Sequence, residues 1–260
     1  MRQTHVPWRA EGWIGWIDAT AGIDPVACLA AAADAPGRAS RHARTFRLPA
    51  TDGAVFVKTY RAPAGWRATR AFRMGEALRT AGLGAPTVVA AARRAGAGLL
   101  VTRDAGGEDL AAAIAERRGV PRAKHALLRA LGVEVARLHR AGFVHGDLVP
   151  PNVRVGGNRF VFLDNDRTRR SRVLVRLVGR RNLVQLGRLV VPGVTVADRV
   201  RVLAAYAAER RLSRRARRRL ARWLVQKIVA RRCAIDGISQ AMAGRAGFRE
   251  LMRSGGPFDR

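Results

Sequence analysis

The sequence predicts an α+β fold, with a strand-rich front that carries one helix and a helix-rich back. Three observations point there. Over 41–60, RHARTFRLPATDGAVFVKTY, apolar and polar side chains alternate with a period near two, as half-buried strands require. A second strand-like pair, TVVAAARR and AGLLVTRD, follows a short helical stretch. Beyond residue 108 the apolar positions recur at helical spacing almost to the end.

Taken in order, residues 1–35 hold Trp8, Trp13 and Trp16 and an Ala-rich stretch at 28–33 that reads as a short helix. They are expected to form an extension packing on the front. Asp52-Gly53 is a turn signal and sets a hairpin of 43–49 and 54–60. Residues 67–81 read as a helix with Phe72 and Leu78 on one face, stopped by the GLGAP run. Ala105-Gly106-Gly107 is a flexible connection, which places a hinge near 103–108, the front at 36–103 and the back at 104–260. EDLAAAIAERR opens with carboxylates and closes with arginines, as a helix dipole favours. RAKHALLRALGVEVARLHRAG is a longer amphipathic helix closed by Gly142. Short strands follow near 152–155 and over 159–163 around the Gly156-Gly157 turn; then come a basic segment, 167–181, and helices over 182–254.

With 260 residues and 48% apolar content the chain can bury a proper core. Cys28 and Cys233 lie far apart, so neither a disulfide framework nor a metal knuckle is indicated, and a reducing, cytoplasmic setting fits. The start lacks the basic-then-apolar pattern of a signal peptide, and no run is apolar enough to span a bilayer. The formal net charge is +30, and 46 of the 49 basic residues are Arg. A coding bias accounts for Arg in place of Lys but not for the shortage of acids, so an anionic partner is expected. Arg beside Leu220, Trp223 and Leu224 in 210–222 suits an interfacial helix on the anionic inner face of a membrane, against the plainer reading of a solvated face. Nucleic acid is disfavoured, because aromatics do not interleave with the Arg and no nucleic-acid module is recognisable.

The chemistry-bearing stretch is GFVHGDLVPPNVRV, 142–155, followed by FVFLDND, 160–166. Asp147 lies in a loop after an amphipathic helix, Asn152 comes five residues later, and Asp164 ends an apolar strand. The strand–turn–strand between them brings Asp164 back beside Asn152. A carboxylate and an amide oxygen are hard ligands suited to Mg²⁺, and a further carboxylate can accept a proton from an attacking hydroxyl. That is the set phosphoryl transfer needs. Each residue alone is more often a turn former. Lys is scarce, so Lys58 in AVFVKTY, where Arg would be the default, suggests a task for a compact cation.

HGD…N followed by FLDND resembles the catalytic loop and metal-binding strand of the protein-kinase-like superfamily, in its small-molecule branch. More narrowly, VKTYRAPAGW, LHRAGFVHGDL, FLDNDRTR and RRNLVQLGRL resemble passages of the Kdo/heptose lipopolysaccharide-core kinase family, over about 40–210. The resemblance implies a two-lobed kinase-like fold with a small antiparallel-sheet N-lobe and a helical C-lobe. It implies that Asp147 orients and deprotonates the acceptor hydroxyl and that Asn152 and Asp164 hold Mg²⁺. Lys58, steadied by Glu76, would hold the α/β-phosphates of ATP. The implied acceptor is a sugar hydroxyl of a lipid-linked glycan, an anionic glycolipid or phosphorylated sugar. His145 is expected as scaffold, His139 as a helix-end residue, Asp109 as a helix N-terminal residue, and Asp166 either as a second metal ligand or as an Arg partner. Val149, Pro151 and Asn165 depart from the family pattern, and no glycine-rich loop precedes Lys58. A kinase of a soluble small molecule and a pseudokinase scaffold on anionic membranes are the alternatives.

Overall fold

The structure, a computed structural model, describes residues 5–51, 53–157, 159–188, 193–235 and Met252. The chain divides into two compact units, one of residues 1–106 with 162–168 and one of 107–161 with 169–260.

In the first unit β1 (His5–Ala10), β2 (Trp13–Asp18), α1 (Pro25–Asp34), β3 (Gly37–Ala39), β4 (Ala43–Ala50), β5 (Gly53–Tyr60), α2 (Trp66–Thr80), β6 (Val88–Arg94) and β7 (Ala97–Arg103) follow in order. The strands form one antiparallel sheet in the order β1-β2-β6-β7-β5-β4-β3. The alternation read over 41–60 has a direct outcome. Val55 and Val57 join Trp13, Phe46, Leu48, Leu99 and Val101 on the face covered by α1. Tyr60 joins Ala68, Ala71, Val88 and Leu100 on the face covered by α2. The α2 helix falls one residue earlier than the expected 67–81.

Residues 1–35 differ from expectation. Besides the Ala-rich helix, found as α1, they supply two strands, and β2 pairs with β6 through Ile14↔Arg93 to Ile17↔Ala90. Glu11 and Gly12 join β1 to β2 with φ of 48° and 78°, a two-residue turn of the twist-compatible mirror-image kind. Gly53 is the first residue of β5, paired with Ala50, rather than part of a turn; Asp52 lies outside the described residues.

The second unit holds β8 (Glu108–Asp109), α3 (Leu110–Glu116), α4 (Pro121–Arg140), β9 (Phe143–Val144), β10 (Val153–Gly156), β11 (Arg159–Phe162, whose last residue belongs to the first unit), β12 (Arg169–Arg170), α5 (Arg172–Val178), α6 (Arg180–Arg188), α7 (Val196–Glu209) and α8 (Arg214–Ile235). The Asp109 carboxylate caps α3 by accepting from the Ala112 N–H at 2.9 Å, the helix-start role expected of it. Leu127, Leu131, Val135 and Leu138 form the buried stripe of α4. Burying each contributes roughly 1.5–3 kcal/mol. Gly142 ends that helix at φ 89°, a conformation that favours glycine. The α4 and α7 backbones meet at Gly132, where a Cβ would lie 2.3 Å from the Val202 carbonyl oxygen. The basic segment expected over 167–181 contains an unforeseen helix, α5. The helix expected beyond 235 lies outside the described residues, Met252 apart. Among the described residues no helix is long and apolar enough to cross a membrane.

Candidate active site

In the first unit the site grows from the end of β11. The Phe162 N–H donates to the Gly84 carbonyl at 3.0 Å, which anchors the strand end. Asp164 then takes φ 55° and ψ 53°, the left-handed region that few side chains besides Asn and Asp tolerate. Residues Asn165–Arg167 make one tight helical turn. Asn165, the departure from the aromatic expected there, is buried and locks this turn. Its Nδ2 donates to the Phe162 carbonyl at 2.6 Å, and its Oδ1 accepts from the Thr168 hydroxyl at 3.1 Å. Arg70 reaches from α2 to the Thr168 carbonyl with two N–H groups, at 3.3 and 3.2 Å.

The locked turn aims two carboxylates at β5. Lys58 Nζ forms an ion pair with Asp164 and lies 3.7 Å from Asp166 Oδ2. Arg67 Nη1 is also 3.7 Å from Asp166 Oδ2. Asp166 is 3% exposed, and burial, followed by the charge of Asp164, raises its carboxyl above the usual range against the pull of Lys58 and Arg67. Its Oδ1 and the Tyr60 hydroxyl are both buried without a hydrogen bond of good geometry, but the two side chains face each other, and the Tyr60 hydroxyl helps to hold the Asp166 carboxyl down. Burial, then the two carboxylates, push the Tyr60 hydroxyl well above its ordinary value.

Glu76 is not brought to Lys58; it pairs with Arg79 on its own helix. The reason is helical phase. Arg67 and Arg70 share the α2 face that meets the 165–167 turn, and Glu76, nine residues beyond Arg67, lies about half a turn around the helix from it. So α2 offers this turn cations, and the acids that hold Lys58 are Asp164 and Asp166. Asp166 was readable as either a metal ligand or an Arg partner, and Arg67 takes up the second possibility.

In the second unit the loop 145–152 carries Asp147 and Asn152. Asn152 Nδ2 donates to the Asp147 carbonyl at 2.9 Å, and the Asn152 and Val149 N–H groups close the turn. This leaves the Asn152 amide oxygen as the atom suited to a cation. His145 is 1% exposed and acts as scaffold, with its Nδ1 accepting from the Asp147 N–H at 3.1 Å.

Behind the loop stands a buried network that pattern reading did not find. Asn182 and Gln185, one turn apart on α6, take the loop backbone between them. Asn182 Oδ1 accepts from the His145 N–H at 3.1 Å, and its Nδ2 donates to the His145 carbonyl at 2.6 Å and to Gln185 Oε1 at 2.8 Å. Gln185 Oε1 also accepts from the Leu148 N–H at 3.1 Å, and its Nε2 donates to the Gly146 carbonyl at 3.2 Å. His139 Nε2, 3.1 Å from Asn182 Oδ1, must be the protonated nitrogen, because that oxygen only accepts. His139 Nδ1 therefore accepts from the Tyr206 hydroxyl at 2.9 Å. Burial lowers the pKa of His139 to about 4, with the nearby Arg210 adding to it against the Asn182 bond, so the ring is neutral at ordinary pH. The available signals were the resemblance of RRNLVQLGRL to a family passage and the polar pair N-x-x-Q inside an otherwise amphipathic helix.

Known proteins give this arrangement its context. The chain is 25% identical to WaaP in a structure of that protein in complex with acyl carrier protein, with a TM-score of 0.62 over 80% of this chain and 92% of the other. An aminoglycoside-3'-phosphotransferase of type VIII, 16% identical, aligns with a TM-score of 0.54 over 84% of this chain and 90% of its own. Both neighbours are protein-kinase-like, and the two-lobed kinase-like α+β fold is shared. A probable bifunctional tRNA threonylcarbamoyladenosine biosynthesis protein of Natronomonas pharaonis is 40% identical over 81 residues; the match spans 31% of this chain but only 14% of that relative. The model of the lipopolysaccharide kinase (Kdo/WaaP) family matches residues 37–206, which include every site residue named above, and the chain belongs to that family.

Proposed function

We propose that this chain, a phosphotransferase by its family, moves the γ-phosphoryl of ATP to a sugar hydroxyl of a lipopolysaccharide core or another lipid-linked glycan. The observation that carries the reading is the meeting of Lys58 on β5 with the carboxylates of Asp164 and Asp166. A lysine held by two acids is a cation kept in place for phosphate oxygens, with the acids free to turn to a metal. The residues fit a divalent cation. Asp164 and Asp166 are hard oxygen donors, and the buried Asp166 Oδ1 makes no hydrogen bond of good geometry, with the Tyr60 hydroxyl as its neighbour. Asp164, with Asp166 two residues on, and Asn152 would supply the oxygens for Mg²⁺; when bound, the ion would neutralise charge on the phosphates.

The remaining roles fall on this chain's own side chains. Lys58 binds the α/β-phosphates as a compact cation. Asp147, its backbone held by His145 and Asn152, accepts the proton of the acceptor hydroxyl. Glu76 steadies Arg79 rather than Lys58. The Arg excess favours an anionic glycolipid or phosphorylated sugar as acceptor, with peripheral contact at an anionic membrane surface. Acyl carrier protein, present with WaaP in the neighbouring structure, is a further candidate partner.

The test is transfer from γ-labelled ATP, with Mg²⁺, to Kdo-containing lipopolysaccharide core. Asp147→Asn should lower kcat by about 10²–10⁴-fold, with KM for ATP little changed. Turnover equal to that of the unaltered chain would remove this mechanism.

A further inference from the structure

Residues 169–197 contain seven arginines and no carboxylate, so this stretch cannot neutralise itself. The α5 helix lies within it, and its two turns sort into three stripes. Val175 is buried, with Leu174 and Val178 partly covered beside it. Arg172 and Arg176, one turn apart, are exposed. Next to them Val173 and Leu177, also one turn apart, are 65% and 64% exposed, the two most exposed large apolar side chains among the described residues. Arg169 and Arg170 precede the helix and are exposed as well. Among the described residues no carboxylate pairs with any of these four arginines. An apolar stripe left in water beside an unneutralised basic stripe calls for a partner that is apolar and anionic at once.

We propose that α5 docks on an anionic lipid bilayer, with Val173 and Leu177 entering the interface and Arg169, Arg172 and Arg176 lying against the headgroup phosphates. This rests on the reading of the acceptor as lipid-linked and deepens it by naming the contact. Two side chains on a two-turn helix are too small a patch for a stable protein interface. A bilayer asks for less, because each arginine near its surface adds its own attraction and two apolar side chains suffice to orient the contact. The arginine stems can also lie along the apolar boundary while their heads reach phosphate. The basic helix α8, which the sequence marks for this role, offers less apolar surface, with Val225, 39% exposed, as its one exposed large apolar side chain among the described residues. Its Leu224 and Ile228 are buried, and Trp223 is covered by the Arg180 guanidinium at 4.5 Å. The arginines of α8 supply charge; α5 supplies charge and insertion together.

The test is co-sedimentation of the full chain with phosphatidylglycerol-containing vesicles and with pure phosphatidylcholine vesicles, inorganic phosphate being added as a competitor. The chain should bind the anionic vesicles only, and phosphate at the same charge concentration should not displace it. Arg172→Gln with Arg176→Gln should weaken binding about 25-fold, at roughly fivefold per arginine. Val173→Ser with Leu177→Ser should also weaken it, whereas Val173→Trp with Leu177→Trp should tighten it. All these positions are exposed, so circular dichroism and melting should match the unaltered chain. Equal vesicle binding by the α5 variants and the unaltered chain would overturn the proposal, as would equal binding to neutral vesicles or α5-dependent binding to acyl carrier protein alone. Phosphoryl transfer to a soluble core fragment separates the two readings. If no transfer occurs while vesicle binding depends on α5, the catalytic reading falls and the docking stands.

Discussion

Replacing Asn182 with Leu keeps the volume of a side chain that is 1% exposed but deletes its polar atoms. Three buried groups then lose a partner, namely the N–H and carbonyl of His145 and the Nε2–H of His139. A buried group left unsatisfied costs about 1–3 kcal/mol. Three that share one site do not add fully, so the low end applies, at about 3 kcal/mol. That is a large part of the roughly 5–15 kcal/mol that keeps most domains folded. At about 2–4 °C per kcal/mol for a chain of this size, the melting temperature should fall by roughly 6–12 °C, read by far-ultraviolet circular dichroism. Gln185→Leu frees the Leu148 N–H, the Gly146 carbonyl and one Asn182 Nδ2 hydrogen, but in a partly buried setting, and should cost less than Asn182→Leu. In both variants kcat should fall more than KM for ATP rises, because the network holds the Asp147 loop and touches no nucleotide. Asn182→Gln should not rescue, since its longer amide cannot meet a carbonyl now 2.6 Å away without moving the loop. A loss of stability under about 1 kcal/mol in Asn182→Leu would refute the view that α6 holds the loop through these bonds.

Two further outcomes are expected. The native pKa of His139 is about 4 against an ordinary 6.5, so above pH 6.5 its contribution to stability is complete. As pH falls from 6.5 towards 4 the unfolded chain takes up a proton that the folded chain refuses, and about 3 kcal/mol is lost. His139→Gln should flatten that part of a stability–pH curve measured by urea unfolding; an unchanged slope would show that His139 is not its source. Gly132→Ala would drive a Cβ to 2.3 Å from the Val202 carbonyl oxygen and 2.9 Å from Ala205 Cβ. It should lower stability by roughly 1–3 kcal/mol in a thermal melt, while Gly119→Ala, with open space around it, should cost far less.

Much of this molecule is legible in its sequence because short-range physics dominates there. The alternation that puts Val55 and Val57 on one face and Tyr60 on the other is written residue by residue. The α4 helix shows its stripe and its terminating Gly142 just as openly. Long-range pairing is less visible. Nothing near Trp13 announces that β2 will add to the edge of β6, and the Glu11-Gly12 turn is quiet beside Asn-Gly. Among site residues, the rarity of Lys marked Lys58 usefully, yet the same rarity at Lys124 marks a structural ion. Its Nζ meets Asp198 at 3.0 Å and the Gly193 carbonyl at 3.1 Å. The resemblance pointed to Glu76 as the partner of Lys58, but helical phase decides reach, and phase brought Arg67 and Arg70 to the turn instead. Asn182 and Gln185 sit in RRNLVQLGRL, a passage that the family resemblance marked, but their task was not legible, because amides inside an amphipathic helix look like any polar face until their partners, some forty residues away, are in place.

The strands β1 and β2 have a consequence for what counts as a unit of this protein. The family-matched span begins at residue 37, after both strands and α1. Yet Trp13 and Ala32 are buried in the same cluster as Val57 and Leu99. A chain trimmed to the family boundary would keep every residue assigned here to catalysis while stripping β6 of its neighbour and baring a run of Ala90–Arg93 backbone groups. Such an open edge recruits another strand. Evolutionary boundary and folding boundary are therefore different lines on this chain, and the second is the one that keeps Lys58 soluble and in place.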